Sequence, residues 1–311
     1  MVKRGKYALN QSALYKCGSK KRLAEILGIP LEILKENAEN PQYHIVYKPK
    51  KNSTEKRKIN APGKTLKRIQ GKIYKKLRYV KRPKWVMAGE KGKNWPDNAE
   101  FHKDSCYVLK FDIANFFPNC GREYVYRFFL NRLKCAPDIA EILTDLTTYH
   151  GCIIQGSPVS MVLAFYAYEK MFDELANLAD ENSLLFSTYV DDLTFSSKNQ
   201  IQKDKLIKIV NKKLHAYDHK SKSKKEMYYG KTKYKKITGV ILYPDHVSKV
   251  PNRIRLKIKR SLAAAKEAEK EGNVKQANDL KKELVGTIYS ARQIEKNIFP
   301  EALNYAKQQV S

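Results

Sequence analysis

The sequence predicts an α+β fold, an antiparallel sheet combined with helices and followed by a helical C-terminal part, and two segments carry that expectation. Residues 106–113, CYVLKFDI, are a short apolar run ending at an acidic residue. Residues 184–197, LLFSTYVDDLTFSS, are two β-branched and aromatic arms folded about Asp191-Asp192. Short apolar runs bounded by turn residues read as strands, and two joined by a polar dipeptide read as a hairpin. From Arg253 onward the pattern is helical.

Taken in order, residues 19–39 read as two short helices, with Leu23, Ile26 and Leu27 on one face and Gly28-Ile29-Pro30 as the break. The spacing also fits a helix-turn-helix, which nothing else in the chain supports. Residues 43–50 and 56–62 read as the basic arms of a hairpin around Asn52-Ser53-Thr54. From Thr65 to Val80, Leu66, Ile69, Ile73, Leu77 and Val80 recur at helical spacing, with Lys67, Arg68 and Lys72 among the bases around them. One face of that helix packs and the other can meet phosphate. A connection rich in Gly, Pro, Asn and Trp (83–98) precedes the strand at 106–113. Helices are expected at 121–133 and 137–149, a long apolar helix from Val159 to about Leu178, and another helix at 201–215. A Lys-rich connection (220–236), one strand (236–243) and a polar, helix-prone segment (263–283) complete the chain.

The 311 residues carry 61 Lys and Arg against 32 Asp and Glu, a formal charge of +29. Solubility needs far less, so a polyanionic partner is expected, nucleic acid ahead of a membrane surface. No stretch of about 18 apolar residues occurs, and MVKRGKYALNQ lacks the apolar run of a secretory signal. The expectation is a cytoplasmic protein without a membrane partner. Five cysteines without a CxxC pair argue against a disulfide framework and a structural zinc site.

Phosphoryl transfer to a growing strand uses two divalent ions about 3.5–4 Å apart, held by carboxylates from neighbouring strands. Asp112 at the end of one predicted strand and Asp191 at the tip of the hairpin meet that need if the strands are adjacent. Successive residues of a strand point to opposite faces, so Asp192 joins them only where the backbone turns. Asp191 is therefore the expected bridging ligand and Asp192 the weaker partner. Any one of these acids taken alone is ordinary turn or cap chemistry. The ordered set is what carries information: FDIANFFP (111–118), QGSPVS (155–160) and YVDDLTFSS (189–197), each at a predicted strand or loop boundary.

These three segments resemble the consecutive palm motifs of reverse transcriptases, in the same order. RKINAPGKTLKRIQ (57–70) resembles the finger motif of the bacterial enzymes. Two further marks resemble the retron branch: Asn98-Ala99-Glu100-Phe101-His102 fits its N-A-x-x-H pattern, and Ile237-Thr238-Gly239 is a variant of its V-T-G pattern. Val190 stands where that branch usually has Ala. The likeness covers residues from about 20 to about 245.

The resemblance implies a right-hand polymerase of fingers, palm and thumb, with an antiparallel palm sheet and a helical thumb. The implied segments are an N-terminal helical piece (1–40), fingers (41–105), palm with inserted finger helices (106–245) and thumb (246–311). It implies RNA-directed DNA synthesis with two Mg²⁺ ions, or Mn²⁺, on Asp112, Asp191 and Asp192, and with Lys225 near the leaving pyrophosphate. Phe117 would be the steric gate against a ribose 2′-hydroxyl, and Gln155 and Gly156 would line the nucleotide pocket. Arg57, flanked by Lys56 and Lys58, would clamp the triphosphate of the deoxynucleotide. Lys67, Arg68, Arg255, Lys259 and Arg260 would follow nucleic-acid phosphates. Asn98 and His102 are candidate RNA contacts, although a hydrogen-bonded structural histidine is the stronger reading of His102.

The retron resemblance further implies a structured noncoding template RNA, priming from a 2′-hydroxyl within it, and a single-stranded DNA product joined to RNA. It also implies an effector protein and a role in defence against phage. The competing readings are a group II intron type of enzyme, for which the chain is expected to be too short, and a nonenzymatic RNA-binding scaffold on the same fold.

Overall fold

Helices α1 (Lys20–Leu27) and α2 (Leu31–Glu39) form where the apolar spacing predicts them. Ser19 accepts the Arg22 amide hydrogen at 3.2 Å and caps α1, while Gly28 ends it at φ 60°. In this computed structural model residues 5–49 and 56–308 are described, apart from the side chain of Arg57. The expected Asn52-Ser53-Thr54 turn lies outside them. Strands β1 (Tyr43–Pro49) and β2 (Lys56–Pro62) pair antiparallel, with Tyr43 opposite Pro62 and Tyr47 opposite Lys58. Helix α3 (Lys64–Leu77) buries Leu66, Ile69, Gln70, Ile73 and Leu77 and leaves Lys67 and Arg68 exposed.

Helix α4 (Trp95–Phe101) leads into strand β3 (Tyr107–Asp112), the short helix α5 (Phe116–Asn119) and α6 (Arg122–Arg127), which runs on into a π-helical turn, Phe128–Arg132. Helix α7 (Pro137–Asp145) ends before the expected residue 149. Instead β4 (Thr148–Tyr149) pairs antiparallel with β5 (Cys152–Ile153), a small hairpin turned by Gly151 at φ 76°. The expected long apolar helix is two helices, α8 (Ser160–Ala167) and α9 (Glu169–Glu181), broken at Tyr168. The Tyr168 hydroxyl donates to the Asn119 carbonyl and accepts from the Gly121 amide, both at 3.0 Å, and these bonds hold the break.

Strands β6 (Leu185–Tyr189) and β7 (Asp192–Ser197) form the expected hairpin. Its turn is Val190-Asp191 rather than Asp191-Asp192, so Asp192 already belongs to a strand. Helix α10 (Lys203–His215) follows, then β8 (Met227–Tyr229) inside the Lys-rich connection. The single strand expected at 236–243 is also a hairpin, β9 (Lys235–Ile237) and β10 (Val240–Leu242), because Thr238 (φ 42°) and Gly239 (φ 92°) reverse the chain. Strand β11 (Ser248–Lys249) pairs with β10. Three helices end the chain: α11 (Asn252–Lys270), α12 (Val274–Arg292) and α13 (Pro300–Lys307). The polar, helix-prone segment 263–283 spans the turn between the first two.

The fold is α+β. Its largest sheet has the strand order β6-β7-β3-β8, and smaller sheets have the orders β11-β10-β9, β1-β2 and β4-β5. The chain divides into two compact units, one of residues 1–93, 110–193 and 202–226, the other of residues 94–109, 194–201 and 227–311. In the first, Leu66, Phe111, Phe128, Phe129 and Phe172 are no more than 2% exposed. Each such side chain stabilises the fold by about 1.5–3 kcal/mol relative to leaving it in water. In the second, one cluster joins α11, α12 and α13 through Ile258, Leu284, Ile288 and Leu303. Another joins Ala99, Val108, Ile237, Val240 and Leu242. All five cysteines are free thiols. Among the described residues no helix is long and apolar enough to cross a membrane.

Candidate active site

The site is framed by main chain. The amide of Ile113 donates to the carbonyl of Asp191 at 2.9 Å, which sets the end of β3 beside the β6–β7 turn. On its other side Ala114 donates to the Lys220 carbonyl and Lys222 to the Asp112 carbonyl, each at 2.8 Å. Asp112, Asp191 and the lysine-bearing segment 220–225 therefore meet through backbone hydrogen bonds. Val190 opens the turn at φ 61°, a conformation that costs a β-branched residue roughly 1–2 kcal/mol. The Thr188 hydroxyl donates to the Val190 carbonyl at 3.2 Å and braces it.

The three carboxylates have different electrostatic surroundings. Burial pushes the Asp112 carboxyl up, yet Lys222 and Lys225 outweigh it and hold its pKa below the usual value. The Lys222 ammonium bonds Oδ1 of Asp112, and that of Lys225 bonds Oδ2 at 2.8 Å. The hydrogen bond to Asp112 in turn raises the pKa of Lys225. Burial raises the pKa of Asp191, and repulsion from Asp192 and Asp112 adds to it. Burial raises Asp192 as well, against Lys110 and with repulsion from Asp112. Charged carboxylates crowded together under partial burial are unfavourable until a cation joins them.

Their oxygens are the hard donors that Mg²⁺ and Mn²⁺ take, so the chemistry of the set fits a divalent ion. Two ammonium groups presently occupy Asp112, and among the described residues no group of three or more His, Cys, Asp or Glu is disposed as a metal cluster. Loading such an ion would require the Lys222 and Lys225 side chains to yield. With side chains 36% and 59% exposed, they have room to do so.

Around this centre, Phe116 is buried against Phe172 and His219, while Phe117, next to it on α5, is only half-buried. Of the two rings, Phe117 is the one left accessible. Gln155 is half-buried and Gly156 exposed. Gly156 has φ 109°, and a Cβ there would lie 2.9 Å from Ile59 Cγ2 and 3.5 Å from the Asn60 carbonyl oxygen on β2. Only glycine lets the 155–157 loop approach the β1–β2 hairpin this closely. Arg57 pairs with Lys48 in the backbone register, and its side chain lies outside the described residues.

The N-A-x-x-H segment is interior. Asn98 and His102 are both 0% exposed, and His102 Nδ1 lies 2.7 Å from Ser196 Oγ on β7. Neither side chain presents a surface to RNA, which corrects their reading as direct RNA contacts. Arg255 also departs from its expected role. It donates from Nε to the Val250 carbonyl at 3.1 Å and pairs with Glu295 at 2.5 Å, so it ties α11 to the segment that follows α12. Lys67, Arg68, Lys259 and Arg260 are exposed.

Sequence reasoning singled out Lys225 and missed Lys222, since in a run holding Lys220, Lys222, Lys224 and Lys225 only the strand-like pairing with residues 112–114 shows which side chains reach Asp112. It also missed the structural task of Gln70, whose amide donates to the Tyr43 hydroxyl at 3.1 Å and the Leu146 carbonyl at 3.0 Å. A glutamine on the apolar face of α3 was the available signal.

The family described as reverse transcriptase (RNA-dependent DNA polymerase) matches residues 48–242. The chain is 28% identical over 195 residues to the retron Se72 reverse transcriptase of Salmonella heidelberg (strain 579083-10), covering 61% of this chain and 52% of that protein. It is 26% identical over 209 residues to the retron Ec86 reverse transcriptase of Escherichia coli, covering 65% and 64%. With the retron Ec48 reverse transcriptase of Escherichia coli it shares 29% identity over 192 residues, covering 57% and 47%. The matched stretch spans about half to just under two thirds of these relatives. With the end of β3 and the β6–β7 turn joined by a backbone bond and the family match running through all three motif segments, the chain belongs to the reverse transcriptase (RNA-dependent DNA polymerase) family and within it resembles the retron type.

Proposed function

We propose that this protein is an RNA-directed DNA polymerase built as fingers, palm and thumb, with Asp112, Asp191 and Asp192 as its metal-binding carboxylates. The observation that carries the reading is the Ile113–Asp191 backbone bond, which sets the acid ending β3 beside Asp191 in the β6–β7 turn and Asp192 at the start of β7. Two divalent ions held there would activate the attacking 3′-hydroxyl and neutralise the leaving phosphates. The chain's own residues do the rest. Lys225, and Lys222 beside it, supply ammonium groups next to Asp112, where a proton donor to pyrophosphate is needed. Phe117 offers the half-exposed ring that would crowd a 2′-hydroxyl. Gly156 lets main chain approach the nucleotide, and Arg57 is assigned to the triphosphate.

In the retron reading, the template is a dedicated structured RNA, priming starts from a 2′-hydroxyl within it, and the single-stranded DNA stays joined to RNA. The names of the relatives and the two branch marks support it. An effector protein and a role in phage defence belong to the same proposal. To test it, the gene is expressed in bacteria with its native flanking DNA, beside an Asp191→Ala/Asp192→Ala version. A discrete short DNA that shifts in mobility after RNase treatment, in the wild type alone, is the expected result. The same species from both versions would remove these carboxylates from the chemistry.

A further inference from the structure

The β1–β2 hairpin has two faces, and the polymerase reading uses one of them. Successive strand residues alternate sides, and directly opposed residues share a side. Ile59 sits against Gly156, so its face is the one turned to the 155–157 loop. The register places Tyr43, Ile45 and Tyr47 on the other face, with Asn60 opposite Ile45, Lys58 opposite Tyr47 and Lys56 opposite Pro49. The base of that face is anchored. The Tyr43 ring packs 4.2 Å from that of Tyr149, and its hydroxyl accepts from Gln70. Further along, no described residue covers it: Ile45 is 52% exposed and Tyr47 60%, while Lys56 and Lys58 are exposed beside them.

A single exposed apolar residue needs no explanation. Here an aromatic ring and an aliphatic side chain stand in line on a pinned ribbon, with a lysine directly across from the ring. Proteins that hold unpaired nucleic acid use this combination, a π face for bases and cations for the backbone. We infer that this outer face of the hairpin binds an unpaired stretch of RNA, a base stacking on Tyr47, another packing on Ile45, and Lys58 and Lys56 meeting phosphates. Charge selects the occupant: a second copy of a chain with formal charge +29 would set these lysines against their like. The inference deepens the polymerase reading and rests on it for the identity of the strand, the template.

The full-length protein and its Tyr47→Ala, Tyr47→Phe and Lys58→Ala variants are titrated into a labelled unpaired oligouridine RNA and a labelled blunt RNA duplex, at several salt concentrations. Tyr47→Ala is expected to weaken oligouridine binding about tenfold and leave the blunt duplex unchanged, with Tyr47→Phe matching the wild type. Lys58→Ala is expected to reduce the salt slope for oligouridine by about 0.7. Oligouridine binding by Tyr47→Ala equal to wild type, equal losses for both RNAs, or loss in Tyr47→Phe would overturn the assignment. So would a self-associated wild type that Tyr47→Ala renders monomeric with RNA affinity intact. Primer extension run in parallel separates the two readings, since a protein that binds oligouridine through Tyr47 but extends no primer loses the polymerase reading and keeps this surface.

Discussion

The Nδ1 atom of His102 lies 2.7 Å from Ser196 Oγ, and Ser196 Oγ lies 2.8 Å from Ser105 Oγ, so a buried hydrogen-bonded chain links the end of α4 to β7. Ser196 is on the strand that begins with Asp192. The second branch mark meets the same helix, since the Thr238 hydroxyl donates to the Trp95 carbonyl at 2.8 Å and Gly239 faces the Trp95 ring. Both marks are thereby parts of one packed interior rather than separate surface contacts.

His102→Ala removes one of the two buried partners of the Ser196 hydroxyl and leaves Ser105, and the loss of one interior hydrogen bond costs about 0.5–1.5 kcal/mol. Urea unfolding should show a stability lower by that amount, while affinity for RNA stays within about twofold. Unchanged stability with a large loss of RNA affinity would instead return His102 to the RNA surface.

Gly156→Ala meets two obstacles, a positive φ and a Cβ 2.9 Å from Ile59, whereas Gly151 has φ 76° with nothing within 4 Å. Both substitutions should lower stability by about 1 kcal/mol through backbone strain. Only Gly156→Ala should also raise the KM for deoxynucleotides, about tenfold, because the hairpin must shift. Equal kinetics for the two variants in steady-state primer extension would show that the close approach is immaterial.

His219 is 2% exposed between Phe116 and Tyr168, and burial lowers its pKa from 6.5 to about 4. The unfolded chain therefore takes up a proton that the folded chain refuses. This contribution is complete above pH 6.5 and is lost as pH falls toward 4, reaching about 3 kcal/mol. The stability of the wild type relative to His219→Leu, measured by urea unfolding from pH 7 to pH 4, should fall by that amount. A difference independent of pH would mean that His219 takes up its proton equally in the folded and unfolded chains, with no lowering by burial.

Lys222 and Lys225 occupy both oxygens of Asp112, so they would compete with any divalent ion that binds there. Calorimetric titration with Mn²⁺ at low ionic strength should show several-fold tighter binding in Lys222→Ala, although polymerisation slows. Weaker Mn²⁺ binding in that variant would mean that the ammonium supports the site rather than shielding it.

What could be read in advance follows from the range of the interactions involved. Residues 106–113 and the arms around Asp191 are legible because strand patterns are local, and α1 and α3 are legible from helical spacing and, in α1, a Ser cap and a Gly stop. The break at Tyr168 is not, because the groups that hold it, Asn119 and Gly121, are distant in sequence. Residues 236–243 read as one strand since Thr238 gives no local sign that it will adopt φ 42°. The three aspartates were visible as a pattern, but the ion pairs that quench Asp112 depend on how residues 220–222 lie along 112–114. Arg255 reads as a free cation until Glu295, forty residues on, is seen beside it.

The most direct test of the central claim is extension of a DNA primer on an RNA template by the purified protein with Mg²⁺, set beside Asp112→Asn and Asp191→Asn. Either substitution keeps side-chain size while removing a charge, and the rate should fall by at least about 10³-fold with the folded state and RNA binding retained. Extension by either variant at the wild-type rate would contradict the assignment of these carboxylates to the chemistry.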